Sequence, residues 1–294
     1  MSNNVCLITN YNYSSFISEC LYGVLNQSTP FDLVIIVDDG STDNSLNVIS
    51  QAVSGLSFVK IISKINGGQL SAFNAAVNFI SLSDRVFFLD SDDVYPPDYL
   101  SLVLATLKIH PSEFVYCADR IFSSTNCPFK SAFVAPIEVD HVPPTSALAQ
   151  SALCWFGGPT SCISISGELF HQIFPFPFEL DWKSRADDII VYASSILGID
   201  KLYIPSVGIG YRTHQNNVYL NRHIGLEEIK NRQIALHNLF NWYASKFNIP
   251  PHPSLKKTLE EFFSLTSAQR KRHAVPDLIK LTYKWYKNRT FSNC

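Results

Sequence analysis

Two aspartates one residue apart, in Asp90-Ser91-Asp92, close a short apolar run at residues 86–89. In an extended segment, side chains two residues apart point the same way. The two carboxylates therefore share one side, a spacing suited to a hard divalent cation held jointly with phosphate oxygens. The alternative is a solvated turn ahead of Pro96-Pro97. A second acidic cluster, Asp38-Asp39-Gly40-Ser41, follows another apolar run. It offers a glycine for the turn and an aspartate able to accept hydrogen bonds from a base or a ribose, while Ser41 or Asp43 would equally cap a helix. Asn66-Gly67-Gly68-Gln69 opens a helix after a strand and leaves backbone amides free to meet a substrate, although it is not a G-x-x-x-x-G-K-[ST] loop. His214 stands beside Arg212. An imidazole there can complete a metal's coordination or, protonated, meet a departing phosphate next to the guanidinium; the alternative is a surface-loop histidine.

The elements that must position these groups follow from hydrophobic pattern. Continuous apolar runs at 5–8, 33–37, 58–62 and 86–89 read as buried strands, and helical spacing follows the first three, at 16–25, 44–53 and 69–80. Unbroken apolar strands alternating with helices predict an α/β fold, a mostly parallel Rossmann-like sheet with helices on both faces. Ligands bind such sheets beyond the strands' carboxyl ends, where all three polar clusters fall. After Pro97 the pattern loosens, with strands expected at 114–117, 161–165 and 201–204 and a helix from Ala186 or Asp187 to Leu197. Residues 220–294 read as mainly helical apart from Pro250-Pro251-His252-Pro253, and no internal repeat is present. The expected division is a catalytic domain at 1–215, comprising halves at 1–95 and 96–215, and a helical C-terminal extension at 216–294.

Composition narrows the class. The 294 residues are 46% hydrophobic and only 16% charged, which excludes a disordered or fibrous chain. No apolar run reaches the roughly 18–20 residues of a spanning helix, and Met1-Ser2-Asn3-Asn4 lacks the positive region of a secretory signal, so a cytoplasmic or peripheral protein is expected. Seven scattered cysteines, Cys6 to Cys294, include no C-x-x-C pair and support neither a zinc site nor a disulfide framework. The net charge of −2 argues against general nucleic-acid binding. It also hides an asymmetry: residues 255–294 carry nine Lys/Arg and three acids, leaving 14 basic and 22 acidic residues elsewhere, or +6 against −8. Within that tail, Asp277 to Lys287 fits a helix with Lys280, Lys284 and Lys287 on one face and Leu278, Ile279, Leu281, Trp285 and Tyr286 broadly opposite. This is the pattern of a helix lying on the inner face of a membrane, Arg270-Lys271-Arg272 assisting, or of an ordinary helix packed on the catalytic domain.

In order and spacing, Val5 to Asn12, Val37 to Asp43, Asn66 to Asn74 and Leu89 to Asp93 resemble the nucleotide-sugar-binding half of family-2 glycosyltransferases of GT-A fold. The resemblance implies an inverting, metal-dependent transferase of hexosyltransferase type. It would move a sugar from a nucleotide-diphospho-sugar, a UDP-sugar foremost, to a hydroxyl of a glycan or lipid-linked saccharide, with Mg²⁺ or Mn²⁺. Carried onto this chain, Thr9, Asn10, Tyr11, Asp38, Asp39, Asn66, Gly67, Gln69, Asp90, Ser91 and Arg212 would contact the donor, and Asp92, Asp90 and His214 the metal. Thr9 stands where the family commonly has proline, a tolerable change if the contact runs through backbone. The second half resembles bacterial polysaccharide-assembly members. Gly158-Pro159-Thr160-Ser161 with residues 165–173 matches their acceptor-side strand and helix, and Tyr211 to Asn217 their Y-R-x-H-x-x-N segment. Ala186-Asp187-Asp188 matches the acidic motif carrying the general base, so Asp187 or Asp188 would be that base, Asp187 first; otherwise Asp187 merely favours the positive end of a helix. Two alternatives remain: a catalytically inactive sugar-nucleotide-binding protein, and a sugar nucleotidyltransferase, although residues 5–15 lack its Gly- and basic-rich signature.

Overall fold

The computed structural model describes residues 2–123, 126–133, 138–215 and 225–291. Strands β1 (Asn4–Asn10), β2 (Leu33–Asp38), β3 (Val59–Ser63) and β4 (Arg85–Asp90) alternate with helices α1 (Ile17–Leu25), α2 (Ser45–Ala52) and α3 (Gln69–Ala75), as the apolar runs predict. The next elements are α4 (Tyr99–Ile109), β5 (Phe114–Phe122), β6 (Asp140–Val142), α5 (Ser146–Ala152), β7 (Ile163–Ser166), α6 (Gly167–Ile173), α7 (Asp187–Ile196) and β8 (Lys201–Arg212). Beyond β8 come α8 (Leu226–Phe247), α9 (Leu255–Ser264), α10 (Ser267–Arg272) and α11 (Leu278–Phe291).

The strands form one sheet in the order β3-β2-β1-β4-β7-β5-β8-β6. Six run parallel; β7 and β6 pair antiparallel with their neighbours. Successive side chains point to opposite faces, and both faces are dry. Leu7, Ile35, Val86 and Phe88 pack with α3, α6, α7 and α8 on one side. Cys6, Ile8, Ile36 and Phe87 pack with α1, α2 and α4 on the other. A smaller cluster joins α5, α9 and α11 through Leu148, Phe262 and Leu281.

The later half differs from the sequence expectation. Strand β8 continues eight residues past Ile204, because its pairing with β5 shifts register between Cys117 and Ala118 and resumes at Gly208. This shift absorbs Pro205, Ser206 and Val207 and carries Tyr211 and Arg212 to the carboxyl end of the sheet. Helix α3 stops at Ala75 and is followed by a single tight turn at Val77–Phe79, short of the expected Ile80.

Candidate active site

Parallel register brings the first polar clusters level. Thr9 lies opposite Asp90 and Asn10 opposite Asp38, and each pair is joined: Thr9 Oγ1 donates to Asp90 at 3.1 Å and Asn10 Nδ2 to Asp38 at 2.7 Å. Asp38 is fully buried and also accepts from the Ser41 amide and hydroxyl. It therefore braces the turn and does not line the cleft, unlike the donor contact expected for it. Asp39 does line it. Its carboxylate gathers Lys64 Nζ at 2.6 Å and the amides of Gly67 and Gly68 at 3.0 and 2.6 Å. Gly40 (φ +75°) permits the approach, since a Cβ there would sit 2.7 Å from the Asn66 nitrogen.

Gln69 links the two halves. Its side-chain amide donates to Asp90 Oδ1 at 2.8 Å, and its carbonyl oxygen accepts from the Ala186 amide at 2.9 Å, immediately before Asp187. The Gln69 backbone also donates to the Lys183 carbonyl, and a Cβ on Gly68 would fall 2.3 Å from Lys183 Cα. Asp187, the first residue of α7, lines the cleft. Desolvation first, and then the charge of Asp188, raises its carboxyl to about 7. Arg185, just before it, holds φ +61°, a conformation that costs a non-glycine residue about 1–3 kcal/mol. Asp188 points the other way, fully buried in ion pairs with Arg185 at 3.2 Å and with Arg232 of α8 at 2.7 Å.

At the Asp90 end, desolvation and the neighbouring Asp92 charge raise the Asp90 carboxyl to about 7. Asp92 Oδ2 meets His214 Nε2 at 3.0 Å, and the imidazole is held against the rings of Phe16 and Tyr13. Arg212 is only 2% exposed. Its guanidinium bonds Glu19 and donates through Nε to the Asp92 carbonyl at 2.9 Å, and its amide donates to Asp93 at 2.8 Å. It therefore does not face the cleft, as a phosphate contact would; burial has made it the brace behind Asp92. Replacing Arg212 with Met would leave Glu19 with only the Cys127 amide, at 2.6 Å, and breaking a pair buried on the arginine side costs up to about 3–5 kcal/mol. The expected result is a fall in Tm of roughly 5–10 °C. An unchanged Tm with weakened donor binding would return Arg212 to phosphate contact. Ser91 is buried with its hydroxyl unpartnered, and Gly67 lies behind Asp39. Asn216 and Asn217 of the Y-R-x-H-x-x-N segment lie outside the described residues.

Thr9, Asn10, Tyr11, Asp39, Asn66, Gln69, Asp90, Asp92 and Asp187 thus share one cleft of about 760 Å³, the size of a small-molecule site. Residues 5–131 match the family model for glycosyl transferase family 2. An uncharacterised glycosyltransferase of Nostoc sp. is 29% identical over 251 residues, 82% of this chain and 74% of that protein. A chondroitin synthase of Pasteurella multocida is 41% identical over 111 residues, covering 37% of this chain but only 11% of the synthase. In structure, residues 1–349 of Staphylococcus aureus TarS in complex with UDP-GlcNAc superpose with a TM-score of 0.61 at 19% identity, covering 98% of this chain and 79% of that one. The match to glycosyl transferase family 2 spans the part of the chain that carries the Asp39 turn and the Asp90–Asp92 pair.

The fold of the chain is GT-A. The cleft also contains Tyr13, Lys183 and Arg185, which sequence reading did not assign, together with Trp155 and with Thr160 and Tyr211, which it placed only within family-like segments. Alternation along a strand gave a usable signal for Tyr211, since Arg212 turns inward and its neighbour must turn out. Lys183 and Arg185 belong to an irregular stretch with no periodicity to follow. Among the described residues no three His, Cys, Asp or Glu side chains are gathered as a metal cluster. Asp92 and His214 are paired at the cleft, whereas Asp90 is already held by Thr9 and Gln69. One or two carboxylates with substrate phosphates supplying other ligands is the usual arrangement for Mg²⁺, and carboxylate oxygens also suit Mn²⁺, so Asp92, with His214 beside it, fits such an ion.

Proposed function

We propose that this glycosyltransferase transfers a hexosyl group, with inversion, from a nucleotide-diphospho-sugar to a hydroxyl of a glycan or lipid-linked saccharide in cell-surface polysaccharide assembly. A UDP-sugar is the favoured donor. The observation that carries this reading is the cleft itself, where the Asp39 turn, the Asp92–His214 pair and Asp187 converge. In this division residues 1–95 hold the donor and 96–215 shape the acceptor pocket, with the helical segment after residue 216 as an extension. Asn10, Tyr11 and the Asp39 turn receive the nucleoside. Asp187 accepts the proton of the acceptor hydroxyl as that oxygen bonds to the anomeric carbon and the bond to the diphosphate breaks. Asp92 and His214 would hold Mg²⁺ or Mn²⁺, which when bound stabilises negative charge on the leaving diphosphate. Gln69 keeps the two ends of this arrangement in register.

With Asp187 as a base whose carboxyl is raised to about 7, kcat/KM is expected to rise as pH increases through that value and to fall below it, because only the ionised form accepts a proton. A flat profile between pH 6 and 8 would contradict the assignment. The reading as a whole is tested with a panel of sugar nucleotides and divalent cations, following thermal shift and donor hydrolysis. Stabilisation and slow hydrolysis by a UDP-sugar are expected. Binding without turnover on any acceptor would make this an inactive binding protein, and release of pyrophosphate from a nucleoside triphosphate would make it a nucleotidyltransferase.

A further inference from the structure

Helix α11 has three kinds of face. Its inner face is anchored: Leu281 is fully buried beside Leu148 and Phe262, Trp285 Nε1 donates to the Pro253 carbonyl at 2.9 Å, and Lys284 Nζ reaches the Ala152 carbonyl at 3.2 Å. Leu281 and Trp285 are thus turned to the protein, against the all-outward arrangement that a free interfacial helix would need. Arg270 and Arg272 are also turned inward, the first to the carbonyls of Phe262 and Leu265, the second to Asp140 and the ring of Tyr203. What remains outside is a stripe of Ile279, Tyr283 and Tyr286, exposed by 83%, 65% and 65%. Their i, i+4, i+7 spacing sets them in one line along the helix. Lys280 and Lys287, each one residue further on, form a second line beside it.

We propose that this outward face of α11 docks on an anionic lipid bilayer. Large apolar and tyrosine side chains fully in water are what a membrane interface accepts, and tyrosine rings settle at headgroup level with the hydroxyl still wet. The lysine line supplies the complementary charge. The +6 tail on a −8 remainder orients the molecule in the field of a negative surface, helical end first. Asp277, the acid at the head of the helix, is occupied by Lys280 at 3.3 Å. No helix among the described residues is long and apolar enough to cross a membrane, so the contact is peripheral. Docking would also bring the surface near the cleft, since His273, just before α11, bonds the carbonyl of Trp155 at 3.0 Å and Trp155 lines the cleft.

The test is co-sedimentation of the full chain with vesicles of phosphatidylcholine alone or mixed with phosphatidylglycerol, at low and high salt. It requires no sugar nucleotide, so its failure is separate from failure of the donor reading. Binding to the anionic vesicles only, released by salt, is expected. Each lysine near such a surface multiplies partition by roughly five, so Lys280→Gln with Lys287→Gln should lower it by more than about tenfold. Ile279→Ser with Tyr283→Ser and Tyr286→Ser should do the same with Tm little changed, because those side chains are mostly exposed. Three results would overturn the proposal: full-length protein left in the supernatant with anionic vesicles at low salt; variants that bind as well as wild type; or a lipid-free dimer that the serine variant dissolves, which would assign the face to a second copy of the chain.

Discussion

Asp92→Asn is expected to abolish sugar transfer, lowering turnover by roughly 10³-fold or more while the protein stays folded. Asparagine fills the same space and can still meet His214, but it removes the negative charge that a cation needs. Asp90 does not substitute, because Thr9 and Gln69 both point donors at its carboxylate. Loss of the Asp92 charge should also let the Asp90 carboxyl fall from about 7, since repulsion by Asp92 is part of what raises it. The measurement is donor turnover by wild type, Asp92→Asn and EDTA-treated enzyme at matched donor concentrations. If either the variant or the chelated enzyme keeps wild-type activity with its true donor, the metal assignment is wrong.

The second large effect is at the base. Asp187→Asn should bind donor almost as wild type does and turn it over about 10² to 10⁴ times more slowly, because a general base acts in the transition state and contributes little to ground-state affinity. The contrast with Asp188→Asn is the sharper part. Asp188 is buried between Arg185 and Arg232, so its replacement leaves two guanidiniums without their carboxylate and should chiefly loosen the attachment of α8 to α7, read as a lowered Tm. Saturation kinetics and thermal unfolding on both variants separate the roles. An equal loss of turnover in Asp188→Asn at wild-type Tm would move the base one residue on.

Much of this was legible in the chain because it depends on local pattern. Val5–Ile8, Leu33–Val37 and Val86–Leu89 are unbroken apolar runs, a pattern that only a strand covered on both faces requires, and the carboxyl ends of such strands are where Asp39, Asp90 and Asp92 had to fall. What could not be read depends on partners distant in sequence. Arg212 looks like a phosphate ligand by residue type; only the fold brings Glu19 from α1 against it and closes it off from the cleft. Asp187 and Asp188 are equivalent as letters, and Arg232 on α8 tells them apart. The extension of β8 was hidden by Pro205, which reads as a strand end until the register shift opposite Cys117 accommodates it. In α11, Leu281 and Trp285 belong to the same apolar set as Ile279 and Tyr286 on paper, and only the contact with α5 and α9 divides that set between core and surface.

In the proposed reading, one cleft holds the donor's diphosphate beside Asp92 and His214 and turns its sugar toward residue 187. The most direct measurement is a crystal structure of Asp187→Asn with its intact sugar nucleotide and Mn²⁺, the variant being slow enough to preserve the donor. The account predicts the nucleoside against Asn10, Tyr11 and the Asp39 turn, and the diphosphate and cation at Asp92 and His214. It also predicts that the anomeric carbon faces the substituted side chain at position 187 across the space left for an acceptor hydroxyl. A donor bound elsewhere on the protein, or bound in this cleft with its anomeric carbon turned away from residue 187, would contradict it.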